Sequence, residues 1–190
     1  MNKQELFEYI ASKEEFLNHI SDSVWDNPET CYSEKVSSEI ICKALEEQGF
    51  HVEKGIAGIP TAFTGTFGHG KPVIGFLGEF DALSGLSQVA GATEKIAIHS
   101  GGNGHGCGHN LLGTGCLAAA IGLKEYLTES GKEGTVIFYG CPAEEGGGGK
   151  TFMAREGCFD HLDAAIAWHP GDAYGSSAGS TLANCQIYFR

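Results

Sequence analysis

Three short apolar runs constrain this chain more than any other feature: PVIGFLGEFDAL (72–83), GTVIFYGCPAEE (134–145) and DAAIAWHP (163–170). Each is almost continuously hydrophobic, the pattern of a strand covered on both faces. Between the first two, helical spacing predicts a helix from about Asn110 to Glu129, with Gly131 just beyond it as a stop. Between the last two, a shorter helix is expected near Thr151 to Glu156. Strand alternating with helix implies an α/β domain whose mostly parallel sheet is flanked by helices. Upstream, the spacing predicts one amphipathic helix over about 3–24 and another from Glu34 to Gln48, ended by Gly49. The segment FHVEKGIAGIPTAFTGTFG (50–68) reads as two short strands around a Gly-Ile-Pro turn.

Each apolar run ends in ionisable residues: Glu79 and Asp81, then Glu144 and Glu145, then His169. Ligands of open α/β sheets bind at the carboxyl ends of the strands, so these residues are expected to converge on one crevice. The loop HSGGNGHGCGHN (99–110) joins the first run to the helix after it and belongs at the same end.

That loop is where composition matters. The chain has 29 glycines among 190 residues, clustered at 101–115 and 146–149 without a fixed period. Such clusters suit a backbone that turns sharply or approaches a ligand closely. Length and a 42% apolar content suit one domain with a core of its own. A formal charge of −12 with only 12 Lys and Arg argues against a nucleic-acid partner, since that affinity comes from neutralising phosphates. The N-terminal residues carry glutamates among helically spaced apolar residues, unlike a signal peptide. No apolar window is long enough for a bilayer span, so no membrane partner is expected. Seven cysteines without a framework spacing fit a reducing cytoplasm, mostly as small core residues.

The Cys-Gly-His of Cys107 and His109 puts a thiolate and an imidazole on one side of an extended backbone, within reach of one metal ion or two adjacent ones. The alternative is that both merely line a glycine loop, with Asn110 capping the helix. Glu144 and Glu145, adjacent and followed by four glycines, allow one carboxylate to ligate metal while the other moves protons. EEGGGGKT (144–151) ends like a phosphate-binding loop, but that motif needs glycine where Glu144 stands, and the carboxylates would repel a phosphate. His169 adds a fourth metal-type ligand. His99 and His105 flank the loop and are expected to be solvent-exposed, whereas Cys116 reads as helix core. A cysteine hydrolase with Cys107 as nucleophile explains the thiol and leaves the glutamate pair without a role.

Taken together, GHGCGHN, GEFDAL, PAEEGGGGK and AWHP, in this order and spacing, resemble the di-metal amidohydrolases related to carboxypeptidase G, aminoacylase and the plant auxin-conjugate hydrolases. WDNPETCYSEKVSSEIICKALEEQGFHV (25–52) resembles that family's opening helices, so the likeness extends over essentially the whole chain. The resemblance implies Cys107, His109, Glu145 and His169 as metal ligands, the Cys107 thiolate being shared between two divalent ions. Zinc or manganese is expected, with cobalt or nickel as alternatives. It implies Glu144 as the catalytic carboxylate and Asp81 as the aspartate that orients the site from behind the ligands. Glu79 stands where more distant relatives carry a histidine ligand, and Asn110 and Leu112 stand where the auxin-conjugate branch has aspartate and histidine.

The implied activity is hydrolysis of the amide bond of N-acyl or N-aroyl amino acids, such as aminobenzoyl-glutamate, or of dipeptides, in a homodimeric cytoplasmic enzyme. Family members are about twice as long, with a lid and dimerisation domain and a further histidine ligand beyond it. Residues 1–175 are therefore expected to form the first part of the catalytic domain and residues 176–190 to begin the lid domain. The alternative is a truncated, inactive metal-binding fragment or an interaction module.

Overall fold

The computed structural model describes residues 1–176. Its elements are helices α1 (Lys3–Ala11), α2 (Glu14–Trp25) and α3 (Lys35–Glu47), strands β1 (His51–Lys54), β2 (Phe63–His69) and β3 (Val73–Glu79), helix α4 (His109–Ser130), strand β4 (Gly134–Cys141), helix α5 (Gly149–Arg155) and strand β5 (Ala164–Ile166). The expected start of a lid domain at 176–190 lies outside the described residues, apart from its first position.

The single N-terminal helix expected over about 3–24 is two helices. The Ser12 hydroxyl donates to the Tyr9 carbonyl at 2.6 Å, and Lys13 N–H turns to Ile10 O, a tighter turn than the α-helix makes. The ladder restarts at Leu17 N–H to Lys13 O. By contrast, α3 stops as expected, with Gly49 at φ 79°, and α4 ends on Gly131 at φ 62°.

The sheet order is β1-β2-β4-β3-β5. Pairs β4–β3 and β3–β5 are parallel, while β1–β2 and β2–β4 are antiparallel, so β2 alone runs against the other four. The mostly parallel sheet of the sequence reading is borne out, with the one reversed strand, β2, making it mixed. The physical reason is the connection over 70–72: three residues cannot make the crossover that a parallel neighbour requires. The chain thus reverses, and β4 inserts between β2 and β3.

β4 carries both cores. Val136 and Phe138 face α2, α3 and α4 in a cluster with Ile20, Val24, Leu45, Phe63 and Leu117. Ile137 and Tyr139 face the other way, against Ile59 and Met153 of α5. This is the period-two alternation of a strand buried on both sides. β5 departs from expectation: its three residues are exposed and pair only with β3 among the described residues, leaving Ile166 49% exposed at the sheet edge.

Glycine at position 113 lets α4 lie against β3, because a Cβ there would sit 2.7 Å from the Glu79 carbonyl oxygen. That contact places the first residue of α4, His109, beside the end of β3.

Candidate metal centre

The strand ends converge as predicted. Glu79 closes β3 and Asp81 follows it, His109 opens α4, Glu144 and Glu145 follow β4, and His169 follows β5. His109 is fully buried at the centre. Its Nδ1 lies 3.0 Å from Asp81 Oδ1 and 3.1 Å from the Asp81 carbonyl. Its Nε2 faces Glu79 Oε2 at 3.1 Å and the nearer oxygens of Glu144 and Glu145, each at 3.9 Å. The other oxygen of Asp81 accepts the Glu145 backbone N–H at 2.8 Å, tying the two loops together.

Cys107 Sγ lies 3.2 Å from His169 Nε2. The Nδ1 of His169 is 2.8 Å from the Pro170 carbonyl, so a proton on Nδ1 leaves a lone pair on Nε2 facing the thiol. The His109 and His169 rings stand edge to face, 5.7 Å apart.

Two sets of donor atoms fall within 4.8 Å of one another: Cys107, His109 and His169, and Glu79, His109 and Glu144. His109 belongs to both, while Glu145 belongs to neither. The set drawn from the sequence is therefore brought to one place, but Glu79 stands closer to His109 than Glu145 does.

The electrostatics are those of an anionic cluster short of counter-charge. Burial pushes the Cys107 thiol up to about 12, helped by hydrogen bonding to Glu145 and by the charges of Glu145, Glu144 and Glu79. Burial and the Glu79 charge raise the Glu144 carboxyl above its ordinary value, against the pull of Lys150. Burial disfavours a charged His109, yet the hydrogen bond and charge of Asp81, with the charges of Glu79 and Glu145, outweigh it and raise that ring. Burial works against an ionised Asp81 too, but His109 and the Glu145 N–H hold it below the ordinary aspartate value.

Three atoms of the cluster, Glu79 Oε2, His109 Nε2 and Glu145 Oε1, are buried with no hydrogen-bond partner. A buried polar atom without a partner costs roughly 1–3 kcal/mol. A cation among the nitrogen and carboxylate donors of Glu79, His109 and Glu144 would satisfy the first two, so these residues fit a divalent metal ion.

A family model described as peptidase family M20/M25/M40 matches residues 75–183. The chain belongs to this family. The M20 match begins in β3 and takes in every residue of the cluster. Over 98% of its length, this M20 chain is 51% identical to a p-aminobenzoyl-glutamate hydrolase subunit of Escherichia coli K12, and it covers 40% of that protein. Two solved structures share the fold. One is a putative aminohydrolase of methicillin-resistant Staphylococcus aureus (TM-score 0.69, 28% identical, covering 88% of this chain and 42% of that one). The other is the Bacillus subtilis YXEP protein, described as a dinuclear metal binding peptidase of the M20 family (TM-score 0.67, 22% identical, 83% and 44%). The chain thus spans about 40% of the length of the relatives it matches.

Three residues around the cluster make contacts that residue order does not indicate. His105 is not solvent-exposed: it is 4% exposed, lies tilted against the Trp25 ring at 6.4 Å and bonds the Val24 carbonyl through Nε2 at 3.1 Å. Asn110 does not cap α4; Gly108 holds the cap position at φ 78°, and the Asn110 amide bonds Ser21 Oγ. Lys150, which ends the segment resembling a phosphate-binding loop, pairs with Glu79. Its preceding glycines close a loop that returns onto Pro142 and Ala143, where Gly147 and Gly149 leave no room for a Cβ. Cys116 is helix core as expected, donating to the Leu77 carbonyl.

Proposed function

We propose that this chain carries the catalytic residues of a metal-dependent amidohydrolase that cleaves the amide bond of N-acyl or N-aroyl amino acids, such as aminobenzoyl-glutamate, or of dipeptides. The observation that carries this reading is the buried cluster of unpartnered donors around His109, with the half-exposed Glu144 at its rim. The likeness to one chain of a p-aminobenzoyl-glutamate hydrolase supports the aroyl-glutamate end of the substrate range.

In this reading Cys107, His109, Glu145 and His169 hold two divalent ions, zinc or manganese, with cobalt or nickel as alternatives. When bound, these supply a water of lowered pKa and a Lewis acid for the amide carbonyl. Asp81 keeps the proton of His109 on Nδ1, so that Nε2 presents a lone pair, and fixes the Glu145 backbone. Glu144 takes the proton of the attacking water on a carboxylate oxygen and passes it to the leaving amine. That the Escherichia coli relative is one subunit of its hydrolase supports a partner chain; the assembly proposed is a homodimer in the cytoplasm.

Glu144→Ala in the intact gene product keeps its bound metal and loses turnover of aminobenzoyl-glutamate. Retained turnover would remove Glu144 from the mechanism, and metal without turnover in the unmodified protein would favour a binding role.

A further inference from the structure

We propose that Glu34 and Tyr32 are positioning residues that clamp both ends of the loop bearing Glu144 and Glu145. The inference rests on the metallohydrolase reading above and adds two residues to it, from a segment more than 100 positions away in sequence.

Glu34 is fully buried just before α3. Its Oε1 accepts the backbone N–H of Ala143 at 2.8 Å and that of Tyr32 at 2.9 Å, and its Oε2 accepts the Thr61 hydroxyl at 3.1 Å. Both oxygens are committed, so the carboxylate cannot turn without breaking a bond. Ala143 sits at φ 58°, a left-handed conformation that a residue with a Cβ rarely adopts. The Glu34 bond holds it there, immediately before Glu144. At the other end the Tyr32 hydroxyl donates to the Gly147 carbonyl at 2.7 Å, and its ring packs where a Cβ of residue 147 would be 2.8 Å away. Between these anchors, Asp81 fixes the Glu145 N–H, and the Gly146 N–H closes onto the Glu144 carbonyl. The loop is therefore pinned at 143, 145 and 147, with Glu144 between the first two pins and Glu145 at the second.

A purely structural residue here need not be an acid. Burying a carboxylate is unfavourable unless its hydrogen bonds repay it, and an apolar side chain of similar volume would fill the same space. What the carboxylate adds is direction: it reads the backbone N–H of one residue and thereby sets where the next two side chains point. Groups that orient metal ligands from behind typically govern metal affinity by about 10–100-fold.

The test is a cobalt titration of the intact gene product, followed by the thiolate-to-cobalt absorption band, with melting temperature measured alongside. Glu34→Gln weakens cobalt binding by about 10–100-fold and Tyr32→Phe by a smaller factor. Glu39→Gln on α3, which breaks the exposed pair with Lys54 of β1, leaves it unchanged. Lower melting temperatures with cobalt affinity within about twofold of wild type would overturn the clamp and leave Glu34 a structural residue. If Glu34→Gln fails to fold, Tyr32→Phe decides alone, since its ring is 41% exposed and it loses only one hydroxyl: unchanged affinity overturns the proposal. A wild-type protein without the cobalt band overturns the metal reading itself, and the clamp with it, a failure visible before any variant is compared.

Discussion

The Asp81 carboxylate, 3.0 Å from Nδ1 of His109, decides which nitrogen of that ring faces the cluster. Its second oxygen holds the Glu145 N–H at 2.8 Å, so one side chain sets both the β3 and β4 sides of the centre. An asparagine can accept only one of these two donors and presents its amide N–H₂ to the other. Asp81→Asn is expected to weaken cobalt or zinc binding by about 10–100-fold. Calorimetric titration measures it; an unchanged affinity would show that the pairing does not govern the ring.

Lys150 pairs with Glu79, whose side chain is only 11% exposed. Lys150→Gln strands that carboxylate, and the metal-free protein should lose roughly 1–3 kcal/mol, seen as a lower melting temperature in chelator. The same change removes a positive charge that repels a cation, so metal affinity should rise and metal should restore much of the lost stability. Parallel losses of stability and metal affinity would contradict this electrostatic account.

Gly113→Ala sets two effects against each other. Alanine gains about 1 kcal/mol of helix propensity over glycine. The added Cβ, 2.7 Å from the Glu79 carbonyl, must push α4 off β3, at about 1–3 kcal/mol. Because the opposing atom is backbone, the clash wins: the melting temperature should fall and metal binding should weaken as His109 moves. A higher melting temperature would mean that the helix has slack against the strand.

Asp163 ties β5 to β3: its carboxylate accepts the Val73 N–H at 2.8 Å and pairs with Lys71, while its own N–H reaches the Val73 carbonyl. The Val73 hydrogen bond, then Lys71, hold its carboxyl below the ordinary 3.8. A carboxyl depressed in the folded state contributes stability above its unfolded value, and that contribution is lost as pH falls through the lower folded value. Wild type should therefore lose melting temperature below about pH 4 by more than Asp163→Asn does. Parallel curves for the two proteins would rule out a native-state role for this carboxylate.

Much of the site could be read directly from residue order. Periodic apolar residues and glycine stops depend on neighbours a few positions apart, so β3, β4, α4 and the end of α3 follow from local chemistry. The convergence of Asp81, Cys107, His109, Glu144, Glu145 and His169 follows from strand direction alone, once β3, β4 and β5 run parallel. Periodicity was misleading where a single side chain competed with the backbone, as Ser12 does between α1 and α2. It also could not tell an edge strand from a central one, because β5 is apolar like β4 and yet exposed.

Amino-acid order alone thus established the chemistry: which strands end in donors, and that a thiol, imidazoles and carboxylates meet at one end of a sheet. The tertiary structure alone decided how each donor is held. Glu34 on Ala143, Tyr32 on Gly147, His105 on Val24 and Lys150 on Glu79 join positions from 71 to 115 residues apart. A polar side chain can pair with any complementary group that folding brings within about 3 Å. No periodicity along the chain marks that partner; it is set by where the packed helices and strands leave the two groups.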